Sequence, residues 1–236
     1  MKQNDTAQTL TVYDQGTAIA VGVERSVKAK RIRLRVSRRT GAVVLVLPRR
    51  ASVEKGRDFA VSKSAWIAEQ LRRLPPKRVF QDGMPLTFLG RDVVIRHSPA
   101  ARRGVWSDGN VVWVSGAAEH LDRRVRDFLK SEFAAYALAK ARETAAKIDA
   151  KVQKLTVRDT VSRWGSCSRT GHVSLSWRLG LAPLYVADYV IAHEIAHLAQ
   201  MNHSAAFWRV VAGLCPDYER AEAWLKKNAD YLYSFD

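Results

Sequence analysis

The chain has 236 residues and a formal net charge of +16, with 39 Lys and Arg against 23 Asp and Glu. Its hydrophobic fraction of 47% is typical of a globular protein, and its two cysteines, Cys167 and Cys215, exclude a disulfide framework. No apolar run is long enough to span a membrane, and the first ten residues lack the apolar core of a signal peptide, so we expect a cytoplasmic protein.

The first structured segment is predicted to be a β-hairpin with one basic face. From Arg31 to Val36 arginines alternate with apolar residues, a period of two that places neighbouring side chains on opposite faces. A turn near Thr40–Gly41 then leads to a return strand, Val43 to Leu47. Together with the net charge, this face favours nucleic acid or another polyanion as a partner. A solvated edge strand kept soluble by charge explains the same residues.

A helix is predicted from Ser52 to about Leu74. Ser52 is a good N-cap residue, because its side-chain oxygen can accept a hydrogen bond from the first turn. Lysine and arginine crowd the last turn, where the helix dipole favours positive charge. Pro75 and Pro76 stop the helix, so we place a domain boundary there. Residues 1–76 are then a first domain, a basic β-hairpin plus a helix.

Residues 77–117 are predicted to form a second, β-hairpin region of short strands. Asp108–Gly109 is a strong turn signal between the last two strands. The four strands are expected at Leu86–Leu89, Val93–His97, Val105–Ser107 and Val111–Ser115.

The third predicted domain, residues 118–236, opens with a long helix from Ala118 to about Ala150. A strand at Leu155–Arg158, a loop at Thr160–Gly171 and a strand at His172–Leu179 follow. Such a strand can offer its backbone edge to an extended substrate, or it can simply bury the next helix. The elements together predict an α+β fold, with a β-rich N-terminal part and a helical C-terminal part that contains a short sheet.

The candidate metal ligands and the candidate general base lie between Val190 and Trp208. This stretch contains the motif HExxH, with His193, Glu194 and His197, and a third histidine, His203. Residues four apart lie on one face of a helix, so His193 and His197 can direct two imidazoles at one point, as two zinc ligands do. In enzymes with this motif the glutamate is the general base for water that the metal activates.

The flanks of the motif predict two helices joined by a bend. Pro183 suits a first turn, and the helix is expected to end between Gln200 and Asn202. Ser204 can cap a second helix, Ala205–Leu214, and the bend would return His203 to the metal. Two histidines and a glutamate also occur as surface ion-pair clusters. The apolar flanks and the third histidine favour a metal site instead.

Three segments together resemble the YgjP-like metallopeptidase family, which is related to the SprT-like and WLM minimal zinc proteases. They are RWGSCS at Arg163–Ser168, HVSLSWRL at His172–Leu179, and HEIAHLAQMNHSAAFW at His193–Trp208. The resemblance implies a minimal zincin-like C-terminal domain built around an active-site helix. It also implies a catalytic Glu194 and the metal ligands His193, His197 and His203. It assigns no role to the RWGSCS loop.

The prediction is therefore a Zn²⁺-dependent metallopeptidase that hydrolyses peptide bonds of a protein or peptide substrate, with no membrane partner. One alternative is a metal-dependent nucleoside triphosphate pyrophosphatase, an activity also proposed within the YgjP-like family. Another is a basic, nucleic-acid-associated protein with a structural zinc, which would not need Glu194. Cys167 is expected to pack, because a fourth ligand would close the site. Residue type alone suggests three donors for a transition-state oxyanion: Arg163, Tyr185 and Tyr189.

Overall fold

The computed structural model describes residues 8–37, 40–160 and 163–235. The chain divides into two compact units, Met1–Pro76 and Lys77–Asp236. The further division of the second unit at residue 118 stays a prediction. Sheets dominate the N-terminal part and helices the C-terminal part, so the fold is the mixed α+β class that the sequence predicts.

The first unit contains a four-stranded sheet in the order β1-β2-β4-β3. The predicted basic hairpin is confirmed, because β3 and β4 pair antiparallel. The prediction that it opens the structure is wrong, because β1 and β2 form an earlier hairpin whose turn, Gln15–Gly16, has positive φ at both residues. The strands are Thr9–Asp14, Thr17–Ser26, Arg33–Val36 and Val43–Pro48.

Two short helices replace the single predicted helix of the first unit. They are α1, Val53–Ser62, and α2, Ser64–Arg72, and the break falls at Lys63 with ψ of 11°. The predicted N-cap is confirmed, because the hydroxyl of Ser52 accepts a hydrogen bond from the Lys55 N–H at 3.2 Å. Apolar residues of both helices, such as Ala60 and Ile67, join those of the sheet in one core.

The second unit begins with another four-stranded sheet, in the order β5-β6-β8-β7. The predicted turn at Asp108–Gly109 is confirmed, because β7 and β8 pair antiparallel around it. A 3₁₀ turn, Ala118–His120, precedes the long helix α3, Leu121–Ala146, which is shorter at both ends than predicted. The strands are Pro85–Phe88, Arg91–Ser98, Val105–Asp108 and Val111–Ser115.

A three-stranded sheet follows, with β9 (Lys154–Arg158), β10 (Gly165–Cys167) and β11 (His172–Ser176) in the order β10-β11-β9. The strand β10 lies inside the stretch predicted as a loop, of which residues 161 and 162 are outside the described residues. The second predicted strand ends early, because a 3₁₀ helix occupies Trp177–Leu181. The expectation that the strand at His172–Leu179 could offer its backbone edge is wrong, because this strand, β11, is paired on both sides. The edge strand beside it is β10.

Three helices complete the unit: α4 (Leu184–Ala196), α5 (Ala205–Leu214) and α6 (Tyr218–Ser234). Nine of the 13 residues of α4 are buried, and the helix ends four to six residues before the predicted end, with His197 as its C-cap. Among the residues of the described ranges, no helix combines the length and the apolar character needed to cross a membrane.

One buried charge ties the end of α6 to the 3₁₀ helix. The guanidinium of Arg178 is fully buried and donates two hydrogen bonds to the Phe235 carbonyl oxygen, at 3.0 and 2.6 Å. It also forms an ion pair with Asp159. A buried charge needs such partners, because an uncompensated one is strongly destabilising.

Candidate metal centre

The structure brings the three histidines of the motif together. Each offers one ring nitrogen, and the three nitrogens lie within 4.8 Å of one another. The Nε2 atoms of His193 and His203 are 3.1 Å apart, although the two residues are ten positions apart in the chain. In the part of the chain that the structure describes, no other group of His, Cys, Asp or Glu side chains has this geometry.

Local structure explains this convergence. His193 lies on α4, His197 caps the end of that helix, and His203 lies in the turn before α5. The ring of Phe207, in the first turn of α5, contacts all three imidazoles at centroid distances of 4.9, 4.6 and 4.8 Å. Sequence reasoning missed Phe207, although it belongs to the segment that carries the family resemblance.

The protonation of the histidines suits a metal ligand, because a ligating imidazole must be neutral. Burial, reinforced by the neighbouring His197 and His203, lowers the pKa of His193 to about 4. Burial also lowers the pKa of His197, against the opposing effect of a hydrogen bond to the Gln200 carbonyl oxygen. These two rings are therefore uncharged at neutral pH.

The hydrogen bond of His197 also selects its tautomer. Its Nδ1 lies 3.1 Å from the carbonyl oxygen of Gln200. A carbonyl only accepts, so Nδ1 carries the hydrogen and the lone pair of Nε2 is left for a metal ion. The Nδ1 of His193 is buried and has no hydrogen-bond partner among the described residues. The donor set thus fits a divalent metal.

Glu194 follows His193 on α4 but is not part of the histidine cluster. Its side chain is buried, with 6% of the residue exposed. Burial raises the pKa of its carboxyl group to about 7, and the positive charge of Arg163 partly opposes this shift. A carboxyl group with this pKa can accept a proton and return it near neutral pH.

The RWGSCS segment lies against Glu194, which gives the loop a structural role that the sequence did not. Gly165 opens β10 and comes so close to Glu194 that a Cβ atom there would clash with it. The preceding ring, Trp164, stacks on Tyr233 with centroids 4.7 Å apart.

Cys167 ends β10 and does not belong to the histidine cluster. Burial, with a contribution from the negative charge of Glu194, raises the pKa of the Cys167 thiol to about 11. A neutral thiol is a poor metal ligand, so its expected packing role agrees with this position. Cys215 is also a free thiol, and burial raises its pKa.

The three donors suggested by residue type occupy different places. Tyr189 is buried, and the centroid of its ring lies 5.9 Å from that of His193. Burial raises the pKa of the Tyr189 hydroxyl to about 12. Arg163 acts on Glu194 through its charge. The ring of Tyr185 is covered by the guanidinium of Arg220 at 4.5 Å. The ring contact of Tyr189 with His193 and the electrostatic effect of Arg163 on Glu194 therefore favour these two residues over Tyr185.

A stack of aromatic rings borders the histidines. Trp208 lies 5.8 Å from His193 and 6.2 Å from His203, measured between ring centroids. Tyr218 stacks on Trp208 at 5.4 Å and on Tyr189 at 6.5 Å. Because Trp208 and Tyr218 are only half-buried, they present flat apolar surface beside the cluster. No motif in the sequence predicted this stack of aromatic rings.

Comparison with known proteins gives one family. The family model described as "YgjP-like, metallopeptidase domain" matches residues 30–228. No curated protein matches the chain. The crystal structure of the metallopeptidase zymogen of Pyrococcus abyssi abylysin is 18% identical, and the match covers 39% of this chain and 93% of that one. Its TM-score of 0.35 is too low to establish a shared fold.

Proposed function

Since the chain belongs to the YgjP-like family of metallopeptidase domains, we propose that it is a zinc-dependent metallopeptidase that hydrolyses peptide bonds. One observation carries the proposal, namely the convergence of three histidine nitrogens within 4.8 Å beside a buried glutamate. A purely structural zinc site would have no use for that buried carboxyl group, whereas a hydrolase needs a group that exchanges protons.

In this proposal His193, His197 and His203 hold the metal. Three imidazole ligands leave one tetrahedral position for water or substrate, the arrangement of catalytic rather than structural zinc sites. A zinc ion bound there would polarise a carbonyl group and lower the pKa of a water molecule to roughly 7. Other divalent transition metals suit the same donors, so zinc is the choice we put to the test.

Glu194 is the general base of the proposed reaction. Its carboxylate accepts the proton of the attacking water and then donates that proton to the leaving amine. Burial keeps its pKa near 7, so the group is basic enough to take the proton and acidic enough to release it. Tyr189 and Arg163 are the side chains we propose as donors to the developing oxyanion.

An extended peptide fits the edge of β10. This strand pairs with β11 on one side and begins at the residue that lies against Glu194. Backbone pairing along such an edge holds a peptide by its main chain and leaves its side chains to neighbouring surfaces. We propose that the half-buried faces of Trp208 and Tyr218 are one such surface.

The deciding experiment compares zinc-loaded wild type with Glu194→Gln on casein and on nucleoside triphosphates. We expect wild type to hydrolyse casein, and Glu194→Gln to keep its zinc while turnover falls at least ~10²-fold. Glu132→Gln is the matched control, because Glu132 is exposed on α3. Glu194-dependent hydrolysis of triphosphates alone would establish the pyrophosphatase alternative. No Glu194-dependent turnover of either substrate would leave a structural zinc.

We further propose that the basic face of β3 binds a polyanion. Arg33 and Arg35 alternate on the exposed side of that strand. Arg35 pairs with Glu24 at 3.1 Å, but the two side chains are 63% and 56% exposed, so the ion pair is weak. The guanidinium of Arg35 can therefore exchange this partner for a phosphate at little cost.

A further inference from the structure

Gly165 and Glu194 approach each other more closely than any other residue type at position 165 would allow. A Cβ atom on Gly165 would lie 2.5 Å from Oε1 of Glu194, 2.6 Å from its Cγ and 2.8 Å from its Cδ. In real proteins a Cβ atom essentially never comes within 3.0 Å of a heavy atom to which it is not linked through neighbouring bonds. The close approach thus involves Cγ and Cδ of Glu194 as well as its carboxylate oxygen.

Backbone conformation does not explain this glycine. Eight glycines of the described residues have positive φ, the region that other residues avoid, and Gly165 is not one of them. Alanine would fit its backbone without strain. Among the described residues, the three atoms nearest to a Cβ at this position all belong to Glu194.

Neither partner has an easy way to move. Turning the carboxylate of Glu194 would not relieve the contact, because Cγ is as close as Oε1. The Glu194 side chain is buried, so it has no solvent to swing into. The strand β10 is also held, because the Trp164 carbonyl oxygen accepts a hydrogen bond from the Ser176 N–H at 2.8 Å and the Trp164 ring stacks on Tyr233.

We propose that Gly165 is a positioning residue, whose bare backbone holds the Glu194 side chain in the one conformation that serves the reaction. The catalytic part of this inference rests on the proposed function. The packing part does not, because it concerns a contact between two residues of the chain itself. This also explains why the RWGSCS segment carries a glycine at its third position.

The packing part is tested by a double-mutant cycle on the metal-free protein. Gly165→Ala should raise the unfolding equilibrium constant roughly 10- to 100-fold, as overpacking does in a filled interior. In a Glu194→Ala background the same change should have little effect, because the space is then open. Gly22→Ala is the matched control, since a Cβ on this strand glycine would meet only the Val43 carbonyl oxygen, at 3.7 Å. An equal effect of Gly165→Ala in both backgrounds would overturn the proposal.

The catalytic part is tested by turnover of zinc-loaded protein. Gly165→Ala should lower kcat about 10²-fold, the scale of a misplaced reactive group, with zinc content and KM near those of wild type. Glu194→Ala removes Cγ together with the carboxyl group, so in that background Gly165→Ala should hardly change the residual kcat. A similar loss in both backgrounds would show that Gly165 does not act through Glu194. Wild type without hydrolytic activity would refute the proposed function and leave the stability cycle as an independent result.

Discussion

Glutamine in place of Glu194 should stabilise the metal-free protein above neutral pH. The glutamate side chain is buried, and burial raises its pKa from 4.5 to about 7. At higher pH the folded protein must therefore hold a buried negative charge that the unfolded chain exposes to water. Glutamine has nearly the same shape and no charge at any pH, so this cost disappears.

The magnitude follows from linkage. A carboxyl group whose pKa is raised on folding stabilises the folded state fully below pH 4.5, and this contribution is lost as pH rises through 7. At 1.36 kcal/mol for each unit of pKa difference, the whole change is about 3 kcal/mol at most. The free energy of unfolding of Glu194→Gln, relative to wild type, should therefore rise by up to that amount across this pH range.

His193 has the opposite pH dependence. Its pKa is lowered to about 4, so its contribution is present above 6.5 and lost as pH falls through 4. The absolute stability of either protein therefore mixes two opposing effects. Both proteins contain His193, so the difference between them isolates Glu194.

The assay is urea unfolding in the presence of a chelator at pH 5 and at pH 8.5, with Glu132→Gln as a control. The free energy of unfolding of Glu194→Gln, minus that of wild type, should be about 2–3 kcal/mol higher at pH 8.5 than at pH 5. The control difference should stay constant. A Glu194→Gln difference that is independent of pH would show that the carboxyl group has an ordinary pKa, and would refute the reasoning.

Three further predictions concern other parts of the chain. His203→Ala should strongly reduce bound zinc, as measured by elemental analysis, and full metal content would remove this residue from the ligand set. Changing Arg31, Arg33 and Arg35 to glutamine should flatten the salt dependence of polyanion affinity, whereas the same change at three exposed cations elsewhere, Arg142, Lys226 and Lys227, should not. Ser52→Ala should cost about 1 kcal/mol in chemical unfolding, and an unchanged midpoint would mean that the cap contributes nothing.

Periodicity predicted the β3–β4 hairpin and α3, but the 17-residue helix α6 was not predicted. Alternation along β3 and β4 and helical spacing along α3 reflect which faces are buried, and burial follows the sequence pattern directly. The same alternation runs through β1 and β2, where Leu10 and Val12 face the core, so that hairpin was open to prediction and was missed. The three residues of β10 are too few to display a period.

In the candidate site, too, some features were predictable from the sequence and others were not. Ligand spacing in the motif predicts which residues can converge on a metal, because one helix sets the geometry of two of them. The contact between Gly165 and Glu194 has no such signature. It depends on how an edge strand crosses a helix 29 positions further along the chain, and the sequence pattern of neither element contains that information.

The single ring of Phe207 contacts all three imidazoles, so turning any one of them disturbs its contact with that shared ring. Nitrogen ligands by themselves bind copper more tightly than zinc, and proteins discriminate among ions largely through the geometry they impose. A site stiffened in this way would reject ions that demand a different arrangement. A smaller residue at 207 would free the rings separately, and the protein would then admit a wider range of metals without losing any ligand.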